Sequence, residues 1–76
     1  MEKRYVVLHK MNGTYGREVQ TDDINEAHKL FDLIYKKIDD LFDSVNDDNI
    51  ASVTLFDREA DIDIKYVELV RYYHEA

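Results

Sequence analysis

The chain has no cysteine, no proline and no tryptophan, and only two glycines, Gly13 and Gly16. Lack of cysteine removes disulfides, thiolate chemistry and the usual structural zinc sites together. Small secreted domains usually depend on such bridges, so the composition predicts a reducing cytoplasm. Lack of proline, with no Gly- or Ser-rich stretch and no internal repeat, leaves nothing to mark a linker; the 76 residues, 1–76, read as one small α+β domain. Long apolar runs are missing too. The opening MEKRYVVLHK has four apolar residues in a row before His9, shorter than a signal-peptide core, and no run approaches a membrane span. Neither secretion nor membrane insertion is expected.

Catalytic signatures are equally scarce. Ser44 and Ser52 are the only serines and neither sits in a Gly-x-Ser-x-Gly turn, while His9, His28 and His74 lie far apart. Neither glycine opens a phosphate loop. The sequence predicts no enzyme and no cofactor.

Positive charge is in short supply. Ten Lys and Arg stand against 17 Asp and Glu, giving a net charge of -7 and a pI near 4.7, which argues against direct binding to nucleic acid or an anionic membrane. The imbalance is local: residues 1–21 carry four basic and two acidic residues, residues 22–63 four and thirteen, and residues 64–76 two of each.

What is present is enough apolar material for a core, 45% of residues including six Tyr and three Phe. RYVVLHKM followed by NGTYG and REVQT predicts a β-hairpin, Lys3 to Met11 with Tyr15 to Thr21, turning at Asn12 to Thr14. In the next segment Ile24, Ala27, Phe31, Ile34, Ile38, Leu41 and Phe42 recur at spacings of three and four, widened by Leu30 and Tyr35. This predicts a helix from Asp23 to Asp43, capped by Thr21 or an adjacent aspartate. Ile50 to Asp57 alternates as a strand. The tail from Ile62 fits both periods, and its isoleucine, valine and tyrosine content favours a strand over its first eight or nine residues. The expected fold is therefore α+β, ββαββ: a four-stranded antiparallel sheet with one helix packed on one face.

Two metal readings arise and neither holds. His28 and Asp32 share a helix face at i, i+4, a weak signal, and residues 57, 59, 61, 63 and 68 occupy calcium-loop positions, but Ile62 stands where such a loop needs glycine. No metal site is expected.

Between Asp39 and Asp63 nine carboxylates, Asp39, Asp40, Asp43, Asp47, Asp48, Asp57, Glu59, Asp61 and Asp63, face one arginine. Three of them fall in the last turns of the predicted helix, where the macrodipole disfavours anions by roughly 0.3–1 kcal/mol each. Stability alone gives no reason for that placement. Residues two apart on a strand are roughly 6.6 Å apart on one face, comparable to neighbouring phosphates, so such acids could present a phosphate-like line to a protein that binds nucleic acid.

On size, lack of cysteine, compact α+β pattern and the acidic runs IDDLFDSVNDDN and DREADID, the chain resembles the small acidic inhibitors of host defence made by phages and mobile elements, including anti-CRISPR nucleic-acid mimics. That resemblance implies an inhibitor in the host cytoplasm that blocks a basic nucleic-acid-binding host protein, a nuclease such as a CRISPR effector or a DNA-processing enzyme, with those nine acids as its contacts. The alternative is a homodimeric or adaptor domain that uses Tyr66, Val67, Leu69, Val70, Tyr72 and Tyr73, with the acids serving solubility.

Overall fold

The structure, a computed structural model, describes residues 2–42 and 49–71. Asp43, Asp47, Asp48, Tyr72, Tyr73 and His74 lie outside the described residues. The architecture is α+β, with one helix on an antiparallel sheet. In chain order the elements are β1 (Tyr5–Met11), β2 (Thr14–Tyr15), β3 (Val19–Thr21), α1 (Ile24–Phe42), β4 (Asn49–Asp57) and β5 (Ile62–Arg71).

The sheet runs β2-β1-β4-β5, and β3 also pairs with β1, so there are five strands where the sequence suggested four. The expected second strand is broken. Asn12 and Gly13 take positive φ (50° and 87°) and make a tight turn that sets Met11 opposite Thr14 and Lys10 opposite Tyr15. Farther along, Tyr5, Val6 and Val7 face Thr21, Gln20 and Val19, a register shifted by one residue. The extra residue is absorbed between Gly16 and Glu18. The Gly16 N–H still donates to the His9 carbonyl (3.0 Å), and the His9 ring lies so close that a Cβ at position 16 would overlap it.

On its other side β1 pairs with β4 over its whole length, and β4 pairs with β5. Leu55 faces Lys65 but Phe56 faces Asp63, so Ile64 is an extra residue in β5 and forms a β-bulge. Simple alternation would put Ile62, Ile64 and Tyr66 on one face; the bulge breaks it. Ile64 packs against the core while Tyr66, opposite Thr54, belongs to the other face.

The core lies between α1 and one face of the sheet. Tyr5 and Val7 from β1, Ala51, Val53 and Leu55 from β4, and Ala27, Phe31 and Ile38 from α1 are all buried. The helix owes its position to that stripe, since burial of apolar surface stabilises by about 25 cal/mol per Å². Asp23 begins it: its carboxylate accepts the N–H groups of Asn25 (2.8 Å) and Glu26 (3.3 Å), and the Thr21 hydroxyl accepts the N–H of Asp23 (3.1 Å). Asp23→Ala is expected to lower stability by about 1 kcal/mol, read as a reduced urea midpoint at unchanged slope.

Leu41 departs from the expected stripe, being 52% exposed.

Candidate functional site

One sheet face is covered by α1; no described element covers the other. Alternation from the buried positions assigns Val6, Leu8 and Lys10 of β1, Ser52, Thr54 and Phe56 of β4, and Asp63, Tyr66, Glu68 and Val70 of β5 to the open face. Val6 is buried there, flanked by Phe56 and Gln20 on the neighbouring strands. The twisted face forms an open depression of about 570 Å³, with Leu8, Lys10, Ser52, Thr54, Tyr66 and Glu68 among its lining residues. Tyr66 (55% exposed), Ile50 (53%) and Val70 (38%) leave large apolar surface on or beside it. The Tyr66 hydroxyl donates to Glu68 Oε2 (3.1 Å), and this bond, helped by partial burial, pushes the phenol pKa above its usual value.

The nine acids of the sequence do not form one line. Asp39 and Asp40 are on the last turns of α1, at the end of the sheet where β1 finishes and β4 begins. Glu59 and Asp61 are in the turn joining β4 to β5, and Asp63 is at the start of β5. The length of β4, roughly 26 Å, separates the two groups. Asp61 has φ of 56°, so residues 57, 59, 61 and 63 do not run along a strand, and the phosphate-like spacing expected for them is absent.

Asp57 must be removed from the surface set, because it is only 5% exposed. Arg4 grips it with two hydrogen bonds, Nε to Oδ1 (3.1 Å) and Nη2 to Oδ2 (3.0 Å), while Oδ1 also accepts the N–H groups of Glu59 (3.0 Å) and Ala60 (3.3 Å). The Arg4 hydrogen bond, followed by those from the turn, holds its carboxyl below the usual carboxylate range despite burial. Asp57 therefore builds the turn.

The remaining acids at this end differ in how far they are neutralised. Arg4 reaches Glu59 at 3.4 Å, and Arg58 pairs with Glu2 (3.2 Å). Between residues 59 and 71 the single base before Arg71 is Lys65, and it is held on the helix side, 3.3 Å from Asp32 Oδ1 and over the Phe31 ring (4.6 Å). The open face of β5 thus carries Asp63 and Glu68 around Tyr66 with no base of its own strand among them. Glu68 entered the sequence reading only as the last position of the rejected calcium loop and not as a partner contact; the signal for the latter was its placement two residues after Tyr66, on the same face of a strand. Val67 and Leu69, grouped with Tyr66 and Val70 as one apolar tail, instead pack toward the core.

No other described constellation offers chemistry. Among the described residues no three of His, Asp or Glu converge as metal ligands would, and no described helix is long and apolar enough to cross a membrane. His9 is on the helix side of β1 against Gly16, and His28 is half-buried on α1. Compared with models of protein families, with curated proteins and with solved structures, the chain matches none.

Proposed function

We propose that this protein is a non-enzymatic inhibitor that binds a basic nucleic-acid-binding protein and occupies its groove, and that the contact is made by β5 and the turn before it. The observation that supports this reading is the arrangement of β5: Asp63 and Glu68 flank the exposed Tyr66 on the open face, Glu59 and Asp61 lie in the turn before the strand, Val70 is exposed toward its other end, and Lys65 is turned to the other side. Exposed aromatic and apolar side chains supply contact area. The carboxylates supply steering toward a positive surface, which makes association fast and dependent on salt.

The carboxylates at the far end, Asp39 and Asp40, act at a distance in this reading by adding to the net charge of -7. The second reading, self-association, draws support from one observation, that β5 is the last strand of the sheet and has no partner on its outer side among the described residues.

The test is capture by the tagged protein from lysate, with added DNA or RNA as competitor. The wild type is expected to retain a nucleic-acid-binding protein that the competitor releases. The variant with Glu59→Lys, Asp61→Lys, Asp63→Lys and Glu68→Lys should retain less than about a tenth as much at equal input, a loss of at least 1.4 kcal/mol of binding. Equal retention by both would contradict the assignment to β5. A concentration-dependent dimer with no such capture would favour self-association.

A further inference from the structure

The direction of the main-chain groups along β5 follows from hydrogen bonds at the other side of the sheet. Asn12 N–H donates to the Ile50 carbonyl (2.8 Å), and Ile50 N–H donates to Asn12 Oδ1 (2.9 Å), so the polar main-chain groups of Ile50 point toward the β1 side. These groups alternate along an antiparallel strand, and those of Ala51, Val53 and Leu55 therefore point toward β5. Their partners Leu69, Val67 and Lys65 point back. Tyr66, Glu68 and Val70 consequently direct both N–H and C=O outward, away from the sheet, over a strand of ten residues.

The opposite edge is different. There β2 and β3 are two and three residues long, interrupted at residues 16–18, and such short pieces protect an edge from further pairing. β5 has no such interruption from Lys65 onward.

We infer that Tyr66, Glu68 and Val70 form a strand-docking edge that takes an extended basic segment of the partner as a sixth strand. The inference rests on the proposed function and specifies how that binding is made. Main-chain hydrogen bonds to Tyr66, Glu68 and Val70 hold the incoming segment, and side chains at alternate positions of it fall beside Asp63, Tyr66 and Glu68 on the open face. The chemistry that fits is Lys or Arg next to the two carboxylates and an apolar residue next to Tyr66 and Val70. A second copy of the chain fits less well, because pairing two β5 edges brings together molecules that each carry -7. Only Lys65 and Arg71 in each β5 strand oppose that repulsion, and Lys65 is engaged with Asp32.

The experiment uses the whole protein and a short synthetic peptide in which lysine and valine alternate at every second position with threonine between them, Lys-Thr-Val-Thr-Lys-Thr-Val, so that both fall on one face of the strand, with amide hydrogen exchange read residue by residue. Saturating peptide is expected to slow exchange at Tyr66, Glu68 and Val70 by about tenfold or more. Lys65, Val67 and Leu69, already bonded to β4, should change little. A peptide N-methylated at alternate residues, which cannot complete the ladder, should give no protection. Val70→Pro removes an outward N–H without taking a bond from β4, and should abolish the protection while exchange at Val67 stays slow.

Protection that persists in Val70→Pro, or with the N-methylated peptide, overturns strand addition. So does peptide binding without protection at these three amides, and so does protection that grows with protein concentration in the absence of peptide, which would identify the occupant as a second copy. If capture of the nucleic-acid-binding protein stays sensitive to charge reversal but indifferent to Val70→Pro, only the strand-addition inference fails. Loss of that capture in the charge-reversed protein is the separate criterion for the function itself.

Discussion

Phe31→Ala is expected to destabilise the protein by about 3–5 kcal/mol, the usual cost of emptying a buried aromatic site. Phe31 is 2% exposed and is the largest α1 side chain in the core, seated among residues of β1 and β4. The loss has two parts: the transfer free energy of the ring, and a cavity that a sheet tied by three long strands closes poorly. The ring also supports Lys65, whose ammonium lies 4.6 Å from its centroid while it reaches Asp32. A domain of 76 residues has a small reserve of stability, so this single change should leave much of the population unfolded at 37 °C. Urea denaturation followed by circular dichroism measures it. A loss below about 1 kcal/mol would mean that α1 does not seat on the sheet as described.

The second large effect is at Asp57. Removing the carboxylate in Asp57→Ala leaves Arg4 without its bidentate partner and two turn N–H groups without acceptors, and should lower Tm by about 5–15 °C at neutral pH. Solvent screens part of the ion pair, because the Arg4 side chain is 41% exposed; the N–H groups of Glu59 and Ala60 account for the rest. The sign of the pH dependence follows from the depressed carboxyl pKa. Such a group contributes stability above the unfolded carboxylate value, about 4, and the contribution disappears as pH falls through the lower folded value. The difference in Tm between wild type and Asp57→Ala should therefore be full at pH 7 and shrink steadily below pH of about 4. A difference that stays constant to pH 2 would show that the charge of Asp57 has no part in it. Comparing the two proteins cancels the relief of repulsion that acid brings to the other carboxylates.

These two sites also show what a sequence can and cannot disclose. Local chemistry was legible: Asn12-Gly13 as a turn, Asp23 as a cap, the stripe from Ile24 to Ile38, and the alternation of Val53 and Leu55 against Thr54 and Phe56. Each depends on neighbours within about four positions, where backbone geometry sets which side chains meet. The pairing of Arg4 with Asp57 joins residues 53 positions apart, and nothing local distinguishes this aspartate from the exposed acids around it. Counting it as surface charge was the natural error.

The broken second strand and the bulge at Ile64 were hidden for a related reason. A one-residue slip leaves composition unchanged and appears only when a partner strand fixes the register. That slip bears on the candidate site, since it puts Ile64 and Tyr66 on opposite faces, while ordinary strand alternation separates Tyr66 and Val70 from Val67 and Leu69. The run of acids misled in the same way. Asp39, Asp40, Glu59, Asp61 and Asp63 look continuous in the sequence, while in the fold the whole of β4 stands between the first two and the rest.

The most direct test that β5 carries the contact compares charge reversal at the two ends of the sheet. Asp39→Lys with Asp40→Lys changes the net charge by the same amount as Asp63→Lys with Glu68→Lys, so general electrostatic attraction treats the two variants alike. With the nucleic-acid-binding protein recovered by capture as the probe, affinity is measured for both at one ionic strength. The reversal at Asp63 and Glu68 is expected to weaken binding by at least about tenfold more than the reversal at Asp39 and Asp40, a difference of about 1.4 kcal/mol or greater. Equal losses would reduce the acids to a diffuse field, and a greater loss from Asp39 and Asp40 would move the binding surface to the end of α1 and contradict the role given to β5.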